Sequence, residues 1–447
     1  MPWGPHSEKR RRAENTASGL PSLSPNVVTA AYYRHSAGIP LERLGQLIEE
    51  ALSTVALQYP PLESAAKSKL RFVQLQDDPE EEVDVLVEEQ QNLEFPQCYD
   101  QLWRVLIAYK SNESAASGVI AFFVVHPDFK DLVCGGLAFH QSFLAALSLA
   151  DEAKPSSQQT KLHSNFNPIG SLFAMPSSHT SAPKGRTPIK TLTLGAEETA
   201  LLVIVLRKKT NLTSVIQAAL VAALFANLPS EITTIHAESH ISPQELESLG
   251  GAMPHTNISG MSGFTHHKTH TRQGLATATV WCEARRVHSA VKAELAWKKS
   301  NNNNDCARSK KERSVGDVKD FAEEVEEINV TVFNMGDFRD HKQPISQQQQ
   351  FWRVGKVVCG TGGTEPGADL SVRLAVGGDG CLTITFAWSG SVVEGAWLDC
   401  VIATLRKEIG NLLSSNDTAK ATQMSDVLPW GGSMSRLVYL VRDLMLA

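Results

Sequence analysis

The chain has 447 residues. This is more than one hydrophobic core usually supports, so two sub-domains of about 200 residues each are expected. Hydrophobic residues make up 42 %, charged residues 20 %, and the formal net charge is −6. These are the values of an ordinary globular protein, and they argue against nucleic-acid binding because no overall basic field is present. The seven cysteines contain no C-x-x-C pair, so neither a zinc knuckle nor a disulfide framework is indicated.

The beginning of the chain is polar. Residues 1–25 are rich in charge, Ser and Pro, and this composition predicts a disordered tail. The segment lacks the apolar core of a signal peptide, and the longest apolar runs, VIAFFVV and QAALVAALFANL, are too short to span a bilayer. We therefore expect a cytoplasmic protein without a membrane span. Separately, we expect a monomer.

Residues 26–190 begin with strand and helix signals in alternation. PLERLGQLIEEALSTV places leucines at helical spacing behind Pro40, which suits a first helical turn. GVIAFFVV is apolar on both faces, as a central strand would be, and leads through HPDFKDLVCGG into the helical pattern LAFHQSFLAALSLA. Three further segments are predicted to be strands: NVVTAAYY at 26–33, LRFVQL at 70–75 and LWRVLIAYK at 102–110.

Residues 191–447 follow a Ser- and Pro-rich linker, and we place the boundary near residue 190. LLVIVL is predicted to be a strand, NLTSVIQAALVAALFANL a buried helix, 255–272 a loop and about 298–318 a low-complexity insert. INVTVFNMG predicts a strand, and DLSVRLAV and CLTITFAW predict a hairpin around GGDG. In CLTITFAW small polar residues alternate with apolar ones, which predicts one buried face and one polar face. A helix over 396–412 and an amphipathic segment over 434–447 complete the chain.

His126 is the strongest candidate for a catalytic residue. It directly follows the buried strand, and Asp128 and Asp131 lie close by in the loop. A histidine oriented by a fixed partner can take the proton from a hydroxyl as that hydroxyl attacks a thioester. The alternative is a structural histidine bonded to loop backbone, which is common at strand ends. His140, on the following helix, is predicted to be a buried, hydrogen-bonded core residue.

Two other clusters are weaker candidates. HHKTH offers ring nitrogens at His266 and His270 that could share a helical face, as metal ligands do. No Glu follows the first histidine, however, and the segment is predicted to be loop, so the sequence favours no metal site. The runs GTGG and GGDG lack a following helix and are predicted to be turns, not phosphate-binding loops.

Several segments together resemble the fungal alcohol acetyltransferases. VVHPDFKDLVCGGLAFHQSFLAAL resembles the region that carries HHxxxDG followed closely by SGxxFH. NVVTAAYY, LWRVLI, the NLTSVIQAAL helix, VFNMGDF and LAVGGDGCLTITFAWSGSVVEGAW follow in the family's order over about residues 26–412. The superfamily also includes chloramphenicol acetyltransferase, the plant BAHD acyltransferases and condensation domains. The resemblance implies an α/β fold of two pseudo-symmetric mixed-sheet halves, 26–190 and 191–447, with a tunnel between them.

The resemblance also implies roles for individual residues. The second His of HHxxxDG resembles a general base, and the Asp orients its loop through an ion pair. Carried over, these roles fall on His126 and Asp131. Asn334 and Gly336, in VFNMGDF, match the family's Asn-x-Gly turn, which shapes the substrate tunnel. A simple turn is the alternative interpretation.

The motif departs from the family pattern in ways that leave two alignments open. If HPDFKD is matched directly to HHxxxD, Pro127 occupies the position of the base. If His126 is matched to the second His, one extra residue lies inside the motif; in both alignments Leu132 replaces the Gly. We favour the second alignment because a surface loop absorbs one insertion easily.

The expected function is O-acyl transfer of an acetyl or other short acyl group from CoA to the hydroxyl of a small molecule, with a fungal secondary metabolite as the expected acceptor. The co-substrate is acyl-CoA, and no metal or bound cofactor is required. Two alternatives remain: a catalytically silent relative that binds a metabolite or partner, and a condensation-type enzyme that forms amides or esters.

Overall fold

The computed structural model describes residues 26–58, 70–75, 79–93, 95, 103–112, 115–126, 136–152, 187–205, 210–240, 261–268, 277–301, 328–339, 351–361, 368–388 and 393–414. Four predicted segments fall outside these ranges, either wholly or nearly so. They are the tail 1–25, the loop that carries Pro127, Asp128, Asp131 and Leu132, most of the insert 298–318, and the amphipathic segment 434–447.

The described strands form two sheets. The first has the order β2 (Leu70–Gln74), β3 (Trp103–Asn112), β4 (Ala115–Val125), β1 (Val27–Pro40) and β9 (Trp352–Thr361). The second has the order β5 (Ile189–Leu194), β11 (Leu382–Trp388), β10 (Leu370–Val376), β8 (Ile328–Asp337), β6 (Thr234–His240) and β7 (Met261–His267). Both sheets contain parallel and antiparallel pairs, as the predicted mixed α/β fold requires.

Helices lie on both faces of the first sheet, and the helices of the second half pack on one face of the second sheet. They are α1 (Leu41–Gln58), α2 (Pro79–Asn92), α3 (Gly136–Glu152), α4 (Ala196–Val205), α5 (Leu212–Asn227), α6 (Thr277–Asn301) and α7 (Gly395–Ser414). In the first sheet, Tyr33 and Ala31 of β1 pack towards α1 and α3, whereas Val28 and Ala30 pack towards α2. The predicted central strand is confirmed, because β4 lies between β1 and β3 and its residues 119–125 are all buried.

The predicted C-terminal hairpin is also confirmed. β10 and β11 pair antiparallel, and Leu382, Ile384 and Phe386 pack against the helices of the second half. The polar face predicted for β11 exists, but it is buried as deeply as the apolar face. Strand β9 packs against β10 and β11 and covers this side. The sequence pattern distinguishes the two faces but does not reveal that both are covered.

Strand β9 connects the two halves. It lies within residues 191–447, yet it pairs antiparallel with β1 at the edge of the first sheet. An amphipathic pattern cannot indicate which sheet a strand joins, because either sheet offers an edge with unpaired backbone groups. The boundary near residue 190 stays a prediction, and the strands are not strictly partitioned at that boundary.

Two local predictions were wrong. LLVIVL lies largely in helix α4, whose first turn is capped by the Glu198 side chain: its Oε2 accepts the Gly195 N–H at 3.0 Å. Part of the predicted loop 255–272 is strand β7, in which the buried Phe264 and His266 alternate with exposed neighbours. Helix α6 extends to Asn301 and overlaps the start of the insert predicted over about 298–318, which itself stays a prediction.

The tip of the β10–β11 hairpin makes a close backbone contact with β9. The Gly378 N–H donates to the Gly355 carbonyl at 2.9 Å, and a Cβ on Gly378 would lie 2.5 Å from the Val354 carbonyl oxygen. We expect Gly378→Ala to lower the free energy of unfolding by about 2 kcal/mol, because the obstructing atoms are backbone and cannot rotate away.

Gly410→Ala is the matched control, since a Cβ there meets nothing within 4 Å and Gly410 lies inside α7. This change should stabilise by about 0.5–1 kcal/mol. Denaturant unfolding measures both variants, and a Gly378→Ala protein as stable as Gly410→Ala would contradict the prediction.

Candidate functional site

His126 lies at the end of β4, one residue beyond Val125, which pairs with Val27 of β1 and Trp103 of β3. Its ring is partly exposed and contacts Phe95 edge to face, with 5.6 Å between the ring centroids. Phe95 packs with the apolar cluster beneath α2 and also lies 4.4 Å from the Arg104 guanidinium carbon. His126 therefore lies on the α2 side of the sheet. The two alignments of the motif stay open, because Asp131 lies outside the described residues.

His140 is the buried core histidine that the sequence predicts. Its Nε2–H donates to the Thr29 carbonyl at 3.2 Å, so Nδ1 is the acceptor for the Tyr33 hydroxyl at 2.8 Å. Burial lowers the pKa of His140 from 6.5 to about 4, and the bond to Thr29 opposes this shift only in part. The ring is a neutral structural link between β1 and α3 at physiological pH.

Asn334 and Gly336 form the predicted turn at the end of β8. The Asn334 Oδ1 accepts the Gly336 N–H at 3.0 Å, and Gly336 has a φ of 100°, which favours glycine. The Asn334 Nδ2 donates to the Thr213 hydroxyl at 3.1 Å, which fixes the turn to the first turn of α5. The role of these residues in binding substrate stays a prediction. Asn334 lies in the second sheet and His126 at the end of a strand of the first.

Sequence analysis missed a buried cation, Arg373, in the centre of β10. The side chain is 4 % exposed; its Nε donates to the Thr361 hydroxyl of β9 at 3.2 Å, and its guanidinium carbon lies 4.3 Å from the centre of the Phe333 ring. The sequence signal is an arginine inside DLSVRLAV, a strand that is otherwise apolar or carries small polar residues. Such a residue is unusual at a buried position and suggests a specific partner or ligand.

A second missed feature is a chain of polar side chains that joins β6, α5, β7 and α6. Gln217 Nε2 donates to His266 Nε2 at 3.0 Å, and His266 Nδ1–H donates to Glu283 Oε1 at 2.5 Å. The Ser239 hydroxyl donates to Gln217, and Arg286 binds Glu283 through two nitrogens. Burial by itself would raise the pKa of Glu283, but hydrogen bonds from His266 and Arg286 lower it to about 2.

This network accounts for the first histidine of HHKTH. Both ring nitrogens of His266 are engaged by protein groups, and the predicted partner position, His270, lies outside the described residues. In the part of the chain with described coordinates, no group of three or more His, Cys, Asp or Glu could hold a metal ion. Among those same residues, no helix is both long and apolar enough to cross a membrane.

Comparison with known proteins gives relatives in sequence and in structure. No family model matches the chain. The probable alcohol acetyltransferase crmB of Aspergillus fumigatus is 25 % identical over 386 residues, which are 76 % of this chain and 77 % of that protein.

Two solved structures share the fold. The TRI3 trichothecene 15-O-acetyltransferase from Fusarium sporotrichioides has a TM-score of 0.56 at 12 % identity and covers 91 % of this chain and 92 % of its own. The first condensation domain of the CDA synthetase has a TM-score of 0.54 at 13 % identity. The match covers 92 % of this chain and 96 % of that domain. At these identities the likeness establishes the fold alone. The predicted resemblance is thus confirmed: the chain is similar in sequence to a probable alcohol acetyltransferase, and it shares the fold of the TRI3 acetyltransferase and of a condensation domain.

Proposed function

We propose that this protein is an acyl-CoA-dependent O-acyltransferase, which moves an acetyl or other short acyl group to the hydroxyl of a small molecule, a fungal secondary metabolite. The observation that carries the proposal is the sequence similarity to a probable alcohol acetyltransferase over 76 % of the chain. That similarity extends well beyond one motif, so a chance match of the degenerate HPDFKD segment does not explain it.

In this reaction His126 is the general base. It takes the proton of the acceptor hydroxyl as the oxygen attacks the thioester carbonyl, and the tetrahedral intermediate then expels the CoA thiolate, which receives that proton. The partly exposed ring leaves His126 accessible to a substrate. Asp131 orients the loop, and the Asn334–Gly336 turn shapes the acceptor side of the site. This chemistry requires no metal and no bound cofactor.

The contact between His126 and Phe95 favours a second candidate, a catalytically silent relative. In that case the histidine packs as a strand-end residue, Pro127 marks a lost base, and the protein only binds a metabolite or partner. A condensation-type reaction, with an amine acceptor or a carrier-protein thioester donor, is compatible with the same fold.

A direct assay distinguishes these candidates. The purified protein is incubated with acetyl-CoA and a fungal metabolite extract or a panel of alcohols and amines; free thiol is measured by absorbance and products by mass spectrometry. We expect thiol release matched by an ester, unchanged by EDTA because a histidine base needs no Lewis acid. Acetyl-CoA binding without turnover would favour the silent relative. An amide product would favour the condensation-type reaction.

A further inference from the structure

His126 has a fixed backbone, but its ring needs neighbours to orient it. Val125, one residue earlier, is paired with Val27 of β1 and Trp103 of β3, so the chain is held from both sides at the end of β4. Strand pairing does not set the direction of the ring, because the terminal χ2 torsion of a histidine is broad. A general base must direct one ring nitrogen at the acceptor hydroxyl. Side chains in contact with the ring therefore decide its direction.

Phe95 is one such side chain. Its ring lies nearly perpendicular to the imidazole of His126, with 78° between the ring planes and 5.6 Å between the centroids. Aromatic pairs prefer this edge-to-face arrangement, so a rotated imidazole would lose a favourable contact. Phe95 also packs with the apolar cluster beneath α2, which limits its own movement. The contact does not enclose His126, which stays partly exposed.

Arg104 holds the Phe95 ring in turn. Its guanidinium carbon lies over that ring, 4.4 Å from the centre, and cations favour the face of an aromatic ring. The guanidinium is itself fixed at the end of α2: Nε donates to Gln90 Oε1 at 3.0 Å, and Nη2 donates to the carbonyls of Gln90 and Leu93 at 2.7 and 2.9 Å. Burial lowers the pKa of Arg104 to about 10, so the group keeps its charge at physiological pH. The end of α2 thus fixes the cation, and the cation fixes the ring beside His126.

We propose that Phe95 and Arg104 are positioning residues for His126: Arg104 fixes the Phe95 ring, and that ring directs the imidazole at the acceptor hydroxyl. This inference deepens the proposed acyl transfer, on which it rests for the role of His126. Neither side chain touches a substrate or moves a proton. A contact that served packing alone would change stability when it is lost, and the turnover of a folded variant would stay the same. Loss of an orienting contact lowers turnover and has little effect on donor binding.

The kinetics of matched variants test the orienting role. Phe95→Leu should lower kcat roughly ten- to a hundredfold while KM for acetyl-CoA changes little, because a misdirected base acts poorly in the transition state. Phe95→Tyr keeps an aromatic ring and should restore most of the turnover. Phe72→Leu removes a partly buried aromatic ring from β2 and should keep wild-type turnover. A Phe95→Leu protein that folds, as judged by circular dichroism, and turns over as fast as Phe72→Leu would overturn the proposal.

Nuclear magnetic resonance of protein labelled at histidine and phenylalanine tests the geometry without turnover. The ring protons of Phe95 and His126 should give a cross-relaxation peak, assigned by its loss in Phe95→Leu and in His126→Ala. Arg104→Lys keeps the charge but loses the planar fork that binds the end of α2, so the peak should weaken and kcat should fall several-fold. No peak in the wild type, or an unchanged peak in a folded Arg104→Lys protein, would refute the positioning role.

The two measurements separate this inference from the proposed function. If the wild type acylates no alcohol, the proposed acyl transfer fails, and the cross-relaxation peak still decides whether Arg104 and Phe95 hold the ring of His126. If the wild type is active and Arg104→Lys does not fold, the wild-type peak and the kinetics of Phe95→Leu decide the outcome.

Discussion

His126→Ala is expected to lower the turnover of acyl transfer by roughly 10² to 10⁴ while acetyl-CoA binding stays largely intact. In the proposed mechanism the imidazole acts in the transition state, where it removes the hydroxyl proton, and contributes little to holding the donor. Asp131→Asn should lower turnover less, because in the same proposed mechanism that carboxylate orients the loop and does not act on the proton. Thioester consumption at saturating substrate measures the loss, and titration with acetyl-CoA measures binding.

His236→Ala is a matched control, because it removes a partly exposed histidine from β6 in the second sheet. It should keep wild-type turnover. If Pro127 occupies the position of the base instead, His126→Ala should change only stability through lost contact with Phe95, and Pro127→His should raise whatever acyl transfer exists. A folded His126→Ala protein, verified by circular dichroism, that turns over as fast as the wild type would remove the catalytic assignment of His126.

The sequence predicted the elements whose pattern is set by local burial. The alternation in CLTITFAW and the leucines behind Pro40 follow from the periods of strand and helix, and both elements were placed correctly. Sequence analysis failed for LLVIVL, whose β-branched residues favour a strand. A hydrogen bond between Gly195 and Glu198 caps a helix there, and this cap outweighs the strand preference of the composition. Sequence analysis also missed β7, because the polar composition of that segment hides an alternation over residues 263–267, in which Phe264 and His266 are buried and their neighbours are exposed.

The site was predictable only in part, for a related reason. His126 and the Asn334–Gly336 turn stand out because a resemblance assigns roles to their positions. Arg373 and the residues paired with it lie on adjacent strands that are up to about fifty residues apart in the chain, so only the register of the second sheet brings them together. The polar side of β11 predicts an exposed face unless it is known that β9 covers it. The position of β9 depends on its pairing with β1, a strand more than three hundred residues earlier in the chain.

Acid should destabilise this protein from about pH 6.5 downwards, and His140 should account for much of the effect. Its pKa in the folded protein is about 4, below the ordinary 6.5, because the ring is fully buried. Between pH 6.5 and about pH 4, His140 therefore binds a proton in the unfolded chain but not in the folded protein. The free energy of unfolding falls as the pH falls through this window. At about 1.4 kcal/mol per pH unit, the loss approaches about 3 kcal/mol near pH 4.

The variant His140→Gln isolates this contribution. A glutamine amide can accept from the Tyr33 hydroxyl and donate to the Thr29 carbonyl, as the imidazole does, but it takes up no proton in either state. We expect His140→Gln to be less stable than the wild type at pH 7.5 by about 1 kcal/mol, because the replacement bonds are less well placed. Towards pH 4.5 the difference should shrink and then reverse. Urea unfolding at several pH values measures the difference, and His267→Gln, an exposed histidine on β7, controls for the loss of one imidazole. Parallel stability curves for the wild type and His140→Gln between pH 7.5 and 4.5 would show that the buried ring does not set the acid sensitivity.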